Sequence, residues 1–455
     1  MAVRDPRKQR EFAVWVVRNL RERGYIAYWA GGCVRDQLLG RVPKDYDVAT
    51  NATPDEVRKV FGFKRTLAVG AAFGVITVNG PAGAGQIEVA TFRTDSAYRD
   101  GRHPESVSFS SPKEDALRRD FTINGLFYDP IEDRVVDYVG GVQDIERRLV
   151  RAIGDPRQRF EEDKLRMLRA IRFVAELEFN LDVATYDAIR EMAPQITQVS
   201  RERILMELER LLTAPGRREG VRLLRESGLW HVIVPEIDPQ DEAAEHQWMT
   251  NLQIFDRIKE PTFPLSFAVL ARGLIEPAKI TSLCRQLRMA NQQIDKIQWL
   301  LENEKSLDDA QARPWSEIQP ILVSPHIEDL LKFVEARLEV ENRPLQSVTW
   351  CRERLRWPRE QLNPPPLIRG DDLLATGVVQ GPMYREILEQ VRKAQLDGVV
   401  TNREEALKYG LEIVKQQLST ESEPQPANQP SNGTEIVQRM NIRRQSRGRE
   451  EDGSS

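Results

Sequence analysis

Asp45 and Asp47 stand two residues apart in the segment DYDVAT. That segment reads as a strand, where side chains alternate between faces, so both carboxylates are expected on one side. Carboxylates held side by side repel each other and gain nothing structurally. A divalent ion relieves the repulsion, because oxygen ligands suit Mg²⁺. A lone Asp-x-Asp is more often a solvated turn, but this one closely follows Gly31-Gly32-x-x-Arg35. Glycines between a strand and a helix let a phosphate approach the backbone. The helix start offers it N–H groups and a positive dipole end, and Arg35 reaches the same phosphates. Glu88 lies between apolar Ile87 and Val89 in another strand-like run. It is either a third carboxylate on the same floor or an outward-facing strand residue.

A second group of charges lies in EEDKLRMLRAIRFVAEL. At about 100° per residue, Asp163, Arg166, Arg169 and Arg172 form one slanting polar stripe. Met167, Leu168, Ile171, Val174 and Ala175 fall on the opposite side. Spacing alone reads this as a charged outer face with i,i+3 ion pairs.

These groups need elements to hold them. Residues 8–24 carry Phe12, Ala13, Val16, Val17 and Leu20 at helical spacing. A short strand, Ile26–Ala30, runs into the glycine pair and a helix. After DYDVAT, a helix is expected to start with Thr53 as N-cap, Pro54 in the first turn and Glu56 completing a capping box. GVITVNG and QIEVATF read as neighbouring strands joined at residues 80–85. Residues 94–115 are polar with no clear period and are expected to form a mobile loop. A small α/β domain therefore ends near residue 150. From about 156 to 417 helical periods dominate, with a break at PPPLIRG (364–370) before a last helical stretch, 382–417. From Ser419 the apolar content is too low to fold a core.

Composition sets bounds. The 455 residues carry 40% hydrophobic and 30% charged side chains, which predicts a globular, polar-surfaced protein of two to four domains. A formal net charge of -4 gives no whole-chain sign of a nucleic-acid partner, so any such signal is local. Three scattered cysteines, Cys33, Cys284 and Cys351, form neither zinc spacing nor a disulfide framework. A charged N-terminus and the lack of any apolar run near the roughly 18 residues of a membrane span predict a cytoplasmic location without membrane association.

Together, GGCVRD, KDYD, EVATFR and RRDFTINGL resemble the class II nucleotidyltransferases, which comprise the bacterial CCA-adding tRNA nucleotidyltransferases and the poly(A) polymerases. The likeness is strong over residues 26–235 and continues more weakly to about 415. It implies an α+β head with a palm-like sheet and helices, followed by an all-α neck, body and tail. The expected divisions are 1–150 for the head, 151–237 for a neck that recognises the base and binds RNA, 238–362 for the body, 363–417 for the tail and 418–455 for a disordered end. The implied reaction joins CMP or AMP, from CTP or ATP, to the 3′ end of an RNA, most specifically tRNA, and releases pyrophosphate. Two Mg²⁺ ions on Asp45 and Asp47, assisted by Glu88, would drive it. Such a mechanism relies on positioning and charge stabilisation, and none of the four histidines lies in these motifs.

The resemblance also gives the other motifs roles. In RRDFTIN, Arg119 becomes a phosphate contact, and Asp120 and Asn124 become sugar contacts. Arg118 is better read as half of an Asp–Arg pair capping a helix. The Asp163/Arg166 stripe matches an E-D-x-x-R motif that serves as a protein template for the incoming base. A carboxylate accepts from the amino group of cytosine or adenine, and a guanidinium donates to the neighbouring ring acceptor. Uracil and guanine would leave buried groups unpaired, at roughly 1–3 kcal/mol each. Arg169 and Arg172 would face phosphate or hold the aspartate. The nucleotide set is then Gly31, Gly32, Arg35, Arg119, Asp120, Asn124, Asp163, Arg166, Arg169 and Arg172.

Two departures from the family pattern stand out. Lys164 replaces a small residue and Glu178 replaces a common glycine, and both can point to solvent. Residues 246–275 look like a decayed His-Asp phosphohydrolase module, with Arg272-Gly273 where the His-Asp pair would be. No hydrolase activity is expected there. Val69–Val75 lacks the Arg pair of the poly(A) polymerases, which favours CCA addition. The alternatives are a poly(A) polymerase, an enzyme that adds only the terminal A, or, in another class, an inactive RNA-binding protein. Arg443, Arg444, Arg447 and Arg449 near the C-terminus read as part of a solvated tail.

Overall fold

The computed structural model describes residues 5–95, 107–376 and 382–421. The expected disordered end is 418–455; residues 418–421 instead continue a helix, and the rest, with Arg443, Arg444, Arg447 and Arg449, lies outside the described residues. The chain divides into two compact units. One comprises Met1–Gln311 with Ser324–Glu353, and the other Ala312–Val323 with Arg354–Ser455.

The first unit begins as the sequence predicts, with α1 (Pro6–Arg21), β1 (Ala27–Ala30), α2 (Gly32–Leu38), β2 (Asp47–Thr50) and α3 (Pro54–Phe61). The α3 start is a full capping box. The Glu56 carboxylate accepts from the Thr53 amide at 2.7 Å, and the Thr53 hydroxyl accepts from the Glu56 amide. Next come β3 (Thr66–Leu67), β4 (Val75–Asn79), β5 (Gln86–Thr91), β6 (Arg93–Asp95), β7 (Val107–Phe109), α4 (Pro112–Leu117), β8 (Leu126–Asp129) and β9 (Arg134–Asp137). Among the described residues seven strands make one sheet in the order β3-β4-β5-β2-β1-β8-β9. Only β2 and β5 within it pair in parallel.

One face of this sheet is core. Val48, Ile76, Val78, Ile87 and Val89 are fully buried, and α1 and α3 contact these strands. The other face carries Asp47, Glu88 and Thr77, which the alternation of strand side chains turns away from that core.

The expected loop over residues 94–115 is in part ordered structure. Residues 93–95 pair with 107–109 as a short ladder. Pro112–Leu117 is a helix with its own capping box between Ser111 and Glu114. Residues 96–106 lie outside the described residues.

Helices follow: α5 (Gly141–Glu146), α6 (Pro156–Glu162), α7 (Leu165–Leu177), α8 (Val183–Met192) and α9 (Arg201–Leu212). The stripe segment is therefore two helices rather than one. Asp163 has extended backbone angles (φ -150, ψ 106) between α6 and α7. Its carboxylate accepts from the Leu165 amide at 3.0 Å and starts α7. At the far end of α7, Glu178 caps the helix with left-handed backbone (φ 57) and an exposed side chain. That backbone favours glycine, which explains why a glycine suits this position.

The second unit is helical where described. Its core includes Ile368, Leu373, Ile387, Val391, Val400 and Ala406. The stretch after residue 382 forms two helices, Pro382–Leu396 and Arg403–Glu421, broken at Gly398 (φ 76).

Candidate functional site

Asp47 opens β2, and its register partner across the parallel ladder is Glu88. Asp45 lies two residues earlier, outside the strand that the sequence predicts for it, and is exposed. The start of β2 lies beside the end of β1, where Gly31 turns the chain with φ 72. A Cβ on Gly31 would meet Arg119 Nη1 at 3.0 Å. Glycine is thus needed here for its backbone and for the close approach of the guanidinium.

The Asp47 carboxyl is pushed up to about 6, first by burial at the foot of the concave site and then by the charge of Glu88, with Arg119 opposing and Asp45 adding to the rise. Asp47 is exposed at the start of β2, and it is the protein on its cleft side that partly desolvates the carboxyl. This is an electrostatic deficit that a cation relieves. Among the described residues no three His, Cys, Asp or Glu side chains converge tightly enough to enclose an ion. An open oxygen set of this kind suits Mg²⁺, which keeps waters and substrate phosphates in its shell. The donor chemistry of Asp45, Asp47 and Glu88 therefore fits the metal.

From Asp47 a cleft of about 540 Å³ runs toward α7 and α9. It takes in Gly31, Gly32, Arg35, Asp47, Arg119, Asp120, Asn124, Asp163, Arg166, Arg169 and Arg172. Asp45 and Glu88 are not among its lining residues. Eight of its fifteen lining residues are arginine and three are aspartate, so it is built for an anion. The second unit has a larger cleft of about 800 Å³ with chiefly apolar walls. It lacks convergent carboxylates, in contrast to the smaller one.

The arginines are held by a lattice of carboxylates and one ring. Asp115 is buried and bridges Arg118 (2.6 Å) and Arg119 (3.0 Å). Arg118 also donates to the Arg93 carbonyl, as its reading as a structural partner predicts. Arg119 donates to the Asn124 carbonyl at 3.2 Å. Arg35 donates to the Asn124 side-chain oxygen at 2.6 Å and to Asp36. Asp120 accepts from Arg169 at 2.5 and 3.1 Å and from Asn124 at 3.1 Å. Burial opposes ionisation of Asp120, but Arg169 outweighs it and holds the carboxyl well below the usual range. Phe173 lies under the guanidinium groups of Arg35, Arg169 and Arg172, at 5.3, 5.5 and 3.9 Å from the ring centre.

Asp163 and Arg166 are also braced. Arg166 donates to Glu162 at 2.7 Å and to the Arg159 carbonyl at 3.1 Å. Asp163 receives Arg203 at 2.7 Å. Arg172 is 1% exposed and pairs with Glu207 and Glu176. It thus holds two glutamates, whereas the sequence suggests a hold on phosphate or on the aspartate.

Arg203, Arg210, Glu207 and Phe173 are the site residues that reading along the sequence missed. Arg203, Glu207 and Arg210 form an i, i+4, i+7 stripe on α9, and that spacing was the available signal.

In the region of the decayed module, Arg272 pairs with Glu304 and, at 3.6 Å, with Glu341. Asn251 donates to the Arg272 carbonyl at 2.7 Å, and His246 is exposed. No helix among the described residues is long and apolar enough to cross a membrane.

Comparison with known proteins agrees with this fold. Residues 27–151 match the family described as poly A polymerase head domain, and residues 178–241 match the family described as probable RNA and SrmB-binding site of polymerase A. The CCA-adding enzyme of Geobacillus kaustophilus is 34% identical over 403 residues, covering 87% of this chain and 95% of that protein. That of Geobacillus thermodenitrificans is 44% identical over 241 residues, covering 52% of this chain and 58% of that protein. A crystal structure of the Bacillus stearothermophilus CCA-adding enzyme in complex with CTP superposes with a TM-score of 0.72 at 29% identity, covering 90% of this chain and 99% of that one.

Proposed function

The chain belongs to the CCA-adding enzymes with a poly A polymerase head domain, and from that premise we propose that it adds CMP and AMP, from CTP and ATP, to the 3′ end of tRNA without a nucleic-acid template. The observation that carries this reading is a single cleft that runs from Asp47, at one side of the carboxylate floor, through an arginine-rich middle to a braced Asp163/Arg166 pair.

The 3′-hydroxyl oxygen attacks the α-phosphorus of the nucleotide. The bond from that phosphorus to the bridging oxygen breaks, and pyrophosphate leaves. Asp45, Asp47 and Glu88 are the groups that would hold two Mg²⁺ ions. When bound, these would supply a lowered pKa at the 3′-hydroxyl and charge neutralisation on the triphosphate. Arg35 and Arg119 orient the phosphates, and their own partners, Asn124 and Asp115, keep them in place. Asp120 acts through Arg169 and fixes the wall of the cleft. Asp163 accepts from the amino group of cytosine or adenine, and Arg166 donates to the adjoining ring acceptor. Since Leu165 and Arg203 already fix the Asp163 carboxylate, its acceptor direction is set before the base arrives. The helical region after the head would grip the RNA backbone through phosphate contacts. The 246–275 region would serve structure rather than hydrolysis.

The test is incorporation with Mg²⁺ on tRNAs ending before CCA, after C and after CC, offering each NTP alone and CTP with ATP. Completion of CCA followed by a stop is expected. A single A added only after CC would make it an A-adding enzyme, and long A tracts would make it a poly(A) polymerase. No incorporation would overturn the proposal.

A further inference from the structure

Four residues lie in one row across the open face of the sheet. Leu67 is the register partner of Thr77, Thr77 of Glu88, and Glu88 of Asp47. Directly paired residues in a ladder share a face, so the row continues the carboxylate floor outward by two strand spacings, about 10 Å. Beyond Glu88 its chemistry changes. Leu67 is 45% exposed, and Val75 and Thr77 are half-buried. Beside them Val69 is 93% exposed. A solvent-facing side of an antiparallel pair ordinarily reads polar, so this apolar shelf calls for an occupant. Its outline is firm. The Val75 amide donates to the Gly70 carbonyl at 3.0 Å, and a Cβ on Gly70 would meet Val75 at 3.1 Å.

Building on the proposed reaction, we infer that this shelf seats the 3′-terminal nucleotide of the acceptor RNA. Displacement at phosphorus is in line, so the attacking oxygen enters opposite the leaving pyrophosphate. The arginine cleft that suits the triphosphate contains Asp47 but not Glu88. The acceptor must then come over Glu88, and the surface on that side is Thr77, Val75 and Leu67. A small hydroxyl residue flanked by apolar side chains suits a ribose edge and a base face, and would offer little to a triphosphate.

Leu67→Glu places a charge on the shelf at an exposed site, so folding should be unaffected. The expected result is a fall of at least tenfold in kcat/KM for an acceptor-stem minihelix ending before CCA. The Kd for CTP, measured without RNA, stays within twofold, and the thermal midpoint is unchanged. Leu67→Met should restore the parent values. In parallel, the same minihelix with a 3′-terminal 4-thiouridine should crosslink within residues 66–79 of the parent protein. An unchanged kcat/KM in Leu67→Glu, or crosslinks solely outside that segment, would overturn the inference. Failure of the parent protein to extend any tRNA would instead overturn the underlying reaction.

Discussion

Asp47 and Glu88 are direct partners in the parallel ladder between β2 and β5, with their side chains on the same open face. No core packing explains two acids in that arrangement, and together with burial it raises the Asp47 carboxyl to about 6. A cation relieves the strain.

Asp47→Asn should therefore lower incorporation by about a thousandfold or more without lowering the thermal midpoint, because the substitution removes a repelled charge. Differential scanning fluorimetry with and without 10 mM Mg²⁺ (an assay condition of about the usual range) checks the cause. The parent should gain stability with the ion, and the variant should not. A variant that unfolds early would show that the aspartate serves the fold.

Asp120 and Arg169 should behave as a structural pair with a pH signature. The Asp120 carboxyl is held below the usual range, since Arg169 outweighs the effect of burial. Its stabilisation is then fully present above the unfolded carboxylate pKa of about 4 and is lost as pH falls through the lower folded value. Asp120→Asn should cost about 2 kcal/mol at neutral pH, the scale of a hydrogen bond to a charged group. Urea midpoints should show a constant gap from pH 8 to 5 that narrows below about pH 4. A gap that narrows already between pH 7 and 6 would contradict the assignment.

Local signals carried the head domain well. Thr53-Pro54-x-Glu56 fixed a helix start, and alternation marked β4 and β5, because these patterns act over a few residues. Asp163 was harder to read. The polar stripe runs unbroken through residues 163–172, yet the helix breaks at Asp163, whose backbone is extended at the end of α6 and whose carboxylate takes the Leu165 amide and Arg203, forty positions away. The same applies to Arg172, whose glutamate Glu207 arrives from α9. Such contacts depend on how helices pack, and periodicity along one helix does not encode them. Asp45 fell outside its expected strand, since pairing with β5 begins only at Asp47 and pairing with β1 at Val48.

Arg172 is nearly sealed from solvent between Glu207 and Glu176. Arg172→Ala leaves Glu207 with only the more distant Arg169 and Glu176 with only Arg210, and should cost about 3 kcal/mol. Chemical denaturation measures this loss. Below the unfolding range, kcat/KM for CTP should remain within about tenfold of the parent, a change of under roughly 1.4 kcal/mol. A thousandfold loss with intact stability would place Arg172 on the substrate instead.

Glu178 offers the opposite sign. Its exposed side chain sits on a left-handed backbone at the end of α7. Glu178→Gly should raise stability by about 1 kcal/mol, because glycine adopts that conformation without steric cost. The urea midpoint should rise with the slope unchanged, and incorporation should be unaffected. A lower midpoint would mean that the glutamate makes a contribution outweighing its backbone.

The most informative substitutions separate choice of base from speed. Asp163 is the proposed acceptor for the base amino group, and Arg203 holds its carboxylate at 2.7 Å. Asp163→Ala removes the acceptor itself. Discrimination of CTP and ATP against UTP and GTP should fall by about 10–100-fold, equivalent to roughly 1–3 kcal/mol, alongside a slower reaction. Arg203→Ala leaves the acceptor but frees it to rotate. It should lower kcat/KM for CTP by about tenfold while the preference over UTP is largely kept. Single-turnover incorporation with each of the four NTPs on a CC-ended and an unextended tRNA gives both numbers for both variants. If Asp163→Ala keeps full selectivity, base choice resides elsewhere in the cleft. If Arg203→Ala loses selectivity as completely as Asp163→Ala, then Arg203 reads the base itself and is more than the brace for Asp163.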